Sequence, residues 1–567
     1  MRVTRFSQFR SALLALPWAW LIACAPDNTP QTGSQTNWLR ACDDDADCNG
    51  LACRCGVCTR ECAADSTCGE LPGSACITAQ EPGAIALCNG STPTVTGLCI
   101  PRCETAGCGA GQTCVSGICN PIANPGSHVT VLPKTRLQTL TGFGATLAYA
   151  ETAVVNHPKR AELYNAMFST LGLDVLRLRN RYGYSEDADL TTAAAIVQAA
   201  TSSLGRRPTV LLASWSPPTS LKASRSLVCR GNGDTCTLSR SASGGFDYAA
   251  YGAYWRSSLD AYANAGLLAD YIAIQNNPDF VPTSAVPGEG CRMLPTEGTA
   301  SVSVDGVETT VALPGFAEAQ TAVMDQMAGF TPAPRFIAPE VADLNSVAKY
   351  LQYLDASKVD AIGHHLYGSD PMAVDLSTLT QLEQLGRNYG RPLFQTEMSS
   401  DGIATAILMH YAVTVEGASA YLHNAIVGPP PDATNASNAL IGVSASDFTL
   451  ASGYYALRHF AQFTDPGWIR VDTSIDATAA STVQPSRPLA SAWLSPDGLA
   501  LTIVLVNSGA ESIDTQVDVG FEKLQSSRVF RTAFDGEERF AELGALSEDG
   551  TVHLPGHSVV TVTVQSK

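Results

Sequence analysis

Eight short apolar runs, set apart by longer stretches rich in alanine and leucine, constrain residues 129–424 more than any other feature of this chain. Strands that recur after helix-length connectors run parallel, and repeated units of that kind close into a barrel. The runs end near Gly144, Leu178, Ser214, Asn276, Pro339, Tyr367, Glu397 and Asn424. Seven of the eight are followed by polar residues, glycine or proline, as expected where a barrel opens onto its active face. The pattern predicts an α/β fold, a (β/α)8 TIM barrel over 128–467. Its fourth connection, from about Pro278 to Gly315, is unusually long. Within it, Ser301 to Thr309 alternates around Asp305-Gly306 and predicts a β-hairpin.

After Trp468 the pattern becomes all-β. Ala500–Val506 and Val559–Val564 read as strands separated by turns such as Pro496-Asp497-Gly498. They predict a β-sandwich over 468–567, with 128–138 contributing a strand.

Upstream, cysteine decides. Eighteen cysteines occur, and fourteen of them lie between Cys42 and Cys119. So dense an even set predicts a disulfide module over 42–120 in an oxidising compartment. Cys53, Cys55 and Cys58 could be read as metal ligands, but the stretch has no histidine and no repeated ligand spacing, so no metal is expected. Cys42–Cys62 and Cys99–Cys119 are similarly dense and suggest a loose duplication. Cys229 and Cys236 flank a turn-rich loop and predict a local disulfide, while Cys291 has no obvious partner. Residues 1–23 read as a signal peptide, with Arg2, Arg5 and Arg10 before an apolar stretch too short to span a bilayer. Leu21-Ile22-Ala23-Cys24 resembles a bacterial lipobox. Cys24 is therefore expected to be lipidated, with 24–41 as a polar tether. The expected location is exported and lipid-anchored to the bacterial membrane, at the outer membrane or cell surface. A formal net charge of −18 without a basic run argues against nucleic acid.

The predicted strand ends carry the chemistry. Gln275-Asn276-Asn277-Pro278 closes strand four and Thr396-Glu397 closes strand seven. Gly142-Phe143-Gly144, Leu176-Arg177, Ser214-Trp215-Ser216-Pro217-Pro218 and Gly363-His364-His365-Leu366-Tyr367-Gly368 fall in order between and before them. Taken together, this order resembles glycoside hydrolase family 30 from about residue 128 to 567. That family has Gln-Asn-Glu-Pro after strand four, where the Glu is acid/base, and Thr-Glu after strand seven, where the Glu is nucleophile. The resemblance implies a retaining mechanism, with Glu397 attacking the anomeric carbon and Asn276 bonding the neighbouring hydroxyl. Arg177 would hold the nucleophile ionised. Trp215 would offer the sugar an apolar face, and His365 and Tyr367 would line the site. No cofactor is implied.

Asn277 departs from the pattern, because an amide cannot exchange the proton that the leaving oxygen needs. Three readings follow: a non-hydrolytic carbohydrate binder on an enzyme scaffold, a substitute carboxylate on the fourth loop (Asp279 or Glu289), or a substrate needing little protonation. A second departure concerns specificity. Members that cut glucuronoxylan place an arginine shortly after strand eight, and Tyr421–Pro430 has none. The expected partner is a β-linked polysaccharide or oligosaccharide, xylan-like or another β-glycan. Contacts of the cysteine-rich module with a cell surface or polymer are a further reading.

Overall fold

The computed structural model describes residues 45–567, apart from 49–50, 56, 70, 72–73, 89–94, 104–111, 116, 122–126, 185–189, 232–234, 284, 305–306, 368–369, 371–373, 431–437 and 477–487. Cys24, its leader and its tether lie outside the described residues. The chain divides into two compact units, Met1–Asn124 and Pro125–Lys567. No described helix is long and apolar enough to cross a membrane.

In the first unit, disulfides join Cys48 to Cys58, Cys55 to Cys88, Cys62 to Cys76 and Cys68 to Cys99. Its largest apolar cluster is small, built around Ile77, Leu98, Ile100 and Ile118, so covalent links must do what burial cannot. The sulfurs of Cys62, Cys68 and Cys76 lie close together, but two disulfides already use them. Two hairpins repeat one design: Cys53 pairs with Cys58 across the first, and Cys114 with Cys119 across the second.

In the second unit, eight parallel strands close into the expected barrel. They are Gly142–Leu147, Val175–Arg179, Thr209–Ala213, Tyr271–Ala273, Arg335–Asp343, Ala361–Tyr367, Leu393–Met398 and Ala420–Asn424, called strands one to eight below. Alternation sorts their side chains. Leu176, Leu178, Ile272, Ile362 and Tyr421 join the large cluster under the helices, while Val175, Leu211, Ala213, Tyr271, Ala273, Phe394 and Leu422 fill the barrel interior. Helices begin and end on side-chain signals. Asp375 caps Leu376–Tyr389 by accepting from Ser377 N, and Gly390 ends it at φ 61°.

Nine further strands form one mixed sheet, with Ser127–Thr139 held between Ile469–Asp476 and Ile513–Asp518. Central and edge strands share one apolar cluster that includes Val131, Ile503, Ile513, Val529, Leu554 and Val562. The sheet thus curls over its own core, which is the sandwich-like layer expected from the sequence. Trp493 carries it onto the barrel, meeting Phe143 and Phe460 edge to face at 5.7 and 5.9 Å. Such pairs contribute about 0.5–1.5 kcal/mol each beyond burial.

Candidate active site at the barrel mouth

Strand two brings the first charges inside. Val175 lies in the barrel interior, so by alternation Arg177 and Arg179 share its side. Arg177 is fully buried and bridges three acceptors. Nη1 donates to Glu397 Oε2 at 2.6 Å, and Nη2 donates to Asn276 Oδ1 at 2.6 Å and Glu340 Oε2 at 2.8 Å.

Both carboxylates reach Arg177 through bulges. In strand five, Pro339 pairs with Gly363 and Val341 with His364, which leaves Glu340 as the extra residue at φ 60°. Val341 keeps its place under the helices, and Glu340 turns inward. In strand seven, Gln395 pairs with His364 and Glu397 with His365, so Thr396 is extra. Strict alternation from the inward Phe394 would point Glu397 at the helices; the added residue turns it into the mouth.

Glu397 has two further partners. Tyr367 Oη donates to its Oε1 at 3.0 Å and Asn424 Nδ2 to the same oxygen at 3.2 Å. Arg177, Tyr367 and Asn424 therefore hold a carboxylate that is only 4% exposed. Burial and the Glu397 charge together push the Tyr367 phenol well up, so it stays a donor. For Glu340, burial alone would raise the carboxyl. The Arg177 charge and His365 outweigh it and hold the group at about 2.

The remaining expected residues fall around this core. Asn276 sits 2% exposed beside Arg177. Trp215 is 8% exposed, and one ring face is taken by the Arg177 guanidinium at 4.5 Å. The apolar surface it can offer a sugar is therefore smaller than expected. His365 is fully buried with Nε2 3.8 Å from Glu340 Oε2. Asn277 is at φ 50°, its amide N donates to Glu340 O at 3.0 Å, and its buried Oδ1 has no partner among the described residues.

The fourth loop adds a second charged group. The predicted hairpin is present as Gly298–Val304 paired with Val307–Leu313; its Asp305-Gly306 turn lies outside the described residues. Upstream of it, Gly288–Glu289 pairs antiparallel with Val228–Cys229 of the third loop. The Cys229–Cys236 disulfide, present as expected, clamps that contact, and Arg292 N donates to Cys236 O at 2.7 Å. Cys291 is free and buried. Glu289 meets Arg179 Nη1 at 2.8 Å and Tyr184 Oη at 3.3 Å, while the Tyr149 ring stacks 3.9 Å from the Arg179 guanidinium. Asp279 is used differently. Its two oxygens accept from the amides of Ala342 and Asp343, tying the loop to the end of strand five.

Glu340, Arg179, Tyr184 and Tyr149 were not anticipated from the sequence. Arg179 had a signal, since it follows Arg177 by the two-residue strand period. Glu340 stood one residue past the expected strand end, and nothing in the sequence marks a bulge there.

Comparisons with known proteins agree on the scaffold. No family-wide sequence profile matches the chain. It is 22% identical over 459 residues to the glucuronoxylanase XynC of Bacillus subtilis (strain 168), covering 77% of this chain and 92% of that protein. The family 30 subfamily 8 xylanase Xyn30A of Clostridium acetobutylicum superposes with a TM-score of 0.55 at 21% identity, over 77% of this chain and all of the other. The endo-β1,6-glucanase BT3312 superposes at 0.54 with 15% identity, over 78% of this chain and 95% of its own.

Proposed function

We propose that this chain, which has the fold of glycoside hydrolase family 30 and resembles its members along the barrel and side sheet, is a retaining glycosidase acting on a β-linked polysaccharide. The observation that carries the reading is Glu397, presented at the barrel mouth and held by Arg177, Tyr367 and Asn424. A nucleophile must be ionised and aimed. Arg177 supplies the countercharge, and the bulge at Thr396 supplies the aim. In the first step Glu397 attacks the anomeric carbon and the glycosidic C–O bond breaks; in the second, water releases the sugar from Glu397.

A neutral substrate fits best. The stretch after strand eight carries no arginine, and Ala425, Val427, Gly428, Pro429 and Pro430 line a cavity of about 650 Å3 with Ala148, Tyr149 and Val443. None of these residues would balance the charge of a uronate. The relatives' names point to xylan or another β-glycan. The decisive experiment is Glu397→Ala: release of reducing sugar from β-xylan or β-1,6-glucan should fall at least about 10³-fold without loss of fold.

Asn277 supports a second reading, sugar binding without turnover. It predicts oligosaccharide affinity in a wild type that releases nothing. Export and lipid anchoring at Cys24 complete the proposal. They are supported by the lipobox-like Leu21-Ile22-Ala23-Cys24 and by disulfides, which persist in oxidising compartments. Labelling with a radioactive fatty acid, lost in Cys24→Ala, tests them.

A further inference from the structure

We propose that Glu289, carried over the barrel mouth by the disulfide-clamped fourth loop, performs the proton transfers that Asn277 cannot. The inference rests on the hydrolase reading above.

Among the described residues, Asp279, Glu340 and Glu289 are carboxylates set around this mouth, and their surroundings separate them. Asp279 has both oxygens occupied by backbone amides of strand five. Glu340 is fully buried, locked to Arg177 and held ionised, so it has no proton to give and no path to a leaving group. Of these three, Glu289 alone is both reachable and held. Its side chain is 11% exposed, and its backbone is fixed by pairing with Val228. The ladder is short, but it is pinned from two sides: the Cys229–Cys236 disulfide packs against Gly290, and Lys222 Nζ donates to Gly290 O.

The neighbours of Glu289 suit a group that must alternate between acid and base. Burial raises its carboxyl, while Arg179, Tyr184 and Tyr149 oppose that rise without cancelling it. Its proton is thus held more tightly than that of a carboxyl in water, and the carboxylate left after donation meets Arg179 at once. Arg179, which holds Glu289, follows Arg177, which holds Glu397, by the two-residue period of strand two, so the two carboxylates are held from one side of one strand.

The balanced cycle is simple. As Glu397 bonds to the anomeric carbon, the glycosidic C–O bond breaks and the Glu289 proton passes to the leaving oxygen. Water then attacks the same carbon, its proton passes to Glu289, and the ester to Glu397 breaks, restoring both groups.

The test compares wild type, Glu289→Gln, Asn277→Glu and Glu397→Ala on phenyl and 2,4-dinitrophenyl β-xylobiosides and β-gentiobiosides, with and without sodium azide. Glu289→Gln should lower turnover of the phenyl glycosides about 10²–10⁴-fold, spare formation of the glycosyl-enzyme from the dinitrophenyl ones, and lose the alkaline limb of the pH profile. Azide should then speed dinitrophenyl turnover at least about tenfold and yield a β-glycosyl azide. Equal losses on both leaving groups with no azide response would overturn the assignment, as would a large gain in Asn277→Glu alongside an indifferent Glu289→Gln. A circular dichroism spectrum and melting temperature equal to wild type exclude misfolding, and Glu289→Asp gives a second reading of the same group. If Glu397→Ala silences an active wild type while Glu289→Gln does not, only this inference fails. A wild type that turns over no glycoside and no polymer overturns the hydrolase reading and this inference together.

Discussion

Arg177 donates from Nη1 to Glu397 Oε2 at 2.6 Å while its whole side chain is shut off from solvent. Its other terminal nitrogen is committed to Glu340 and Asn276, so one guanidinium fork fixes three groups at once. Lysine would keep the charge but lose the fork. Arg177→Lys should fold and lose activity by about 10²-fold or more, whereas Arg177→Met should lose about 3–5 kcal/mol of stability by stranding two buried carboxylates. Parallel assays and chemical melts separate the two effects, and a fully active Arg177→Lys would show that the fork is dispensable.

Tyr367 offers Glu397 one hydrogen bond, and its phenol is held protonated. Tyr367→Phe removes the donor with little change of shape. A bond to a charged group is worth about 1.5–3 kcal/mol, so kcat should fall roughly 10–100-fold with the fold intact. If instead only KM rose, Tyr367 would serve the sugar rather than the carboxylate.

Gly363 makes room for Glu340. A Cβ there would stand 2.8 Å from Glu340 Oε1 and closer still to Ile337 Cγ2. Gly363→Ala should therefore push Glu340 off Arg177 and cost about 1–3 kcal/mol, with activity lost as well although no group of the reaction has changed. Melting temperature and turnover, measured together, check it.

Three buried histidines predict acid sensitivity. Burial lowers His410 and His459 to about 3 and His423 to about 4, from an ordinary value of 6.5. His459 sits neutral between Thr532 and Thr561. Since the folded values are depressed, stability is full above pH 6.5 and drains as pH falls towards 3–4, by on the order of 2 kcal/mol per histidine at pH 5. Asp174 works the other way. Burial raises it to about 8, so its contribution is largest in acid and is lost as pH rises through that value. Three opposing groups outweigh one, and the melting temperature should drop between pH 7 and pH 5. A flat profile over that range would mean these rings are not held neutral.

Reduction should split the molecule's behaviour. Each disulfide contributes about 2–4 kcal/mol, and the described part of the first unit has little apolar core to replace the four bonds described there. With dithiothreitol, trypsin should clear residues before Asn124 while the barrel unit survives; equal resistance of both units would contradict this.

What the sequence revealed and what it hid follow from the physics of strands. Short apolar runs and helix-length spacers made all eight barrel strands readable, and the family resemblance at their ends marked Arg177, Trp215 and Tyr367 as site residues. Alternation cannot reveal where it breaks. The extra residues Glu340 and Thr396 shift the phase of strands five and seven, and Glu397 was identified through its Thr-Glu motif rather than its parity. Glu289 and Asp279 were both candidates in the sequence, and what was hidden was the choice between them. The position of Glu289 depends on a ladder with Val228, some sixty residues earlier, and no local pattern encodes such a pairing. The third residue of the strand-four motif, Asn277, was plain from the start, and only its neighbours give it meaning.

Strand Ser127–Thr139 leaves one consequence. It precedes the barrel in the chain yet lies inside the side sheet, between strands that follow the barrel. The barrel is therefore an insertion within the sheet's own sequence. Gene fusion or recombination that cut at either barrel end would deliver a sheet missing an interior strand, with Val131 and Val471 laid bare. The two can evolve their loops separately, but they must be inherited as a single piece.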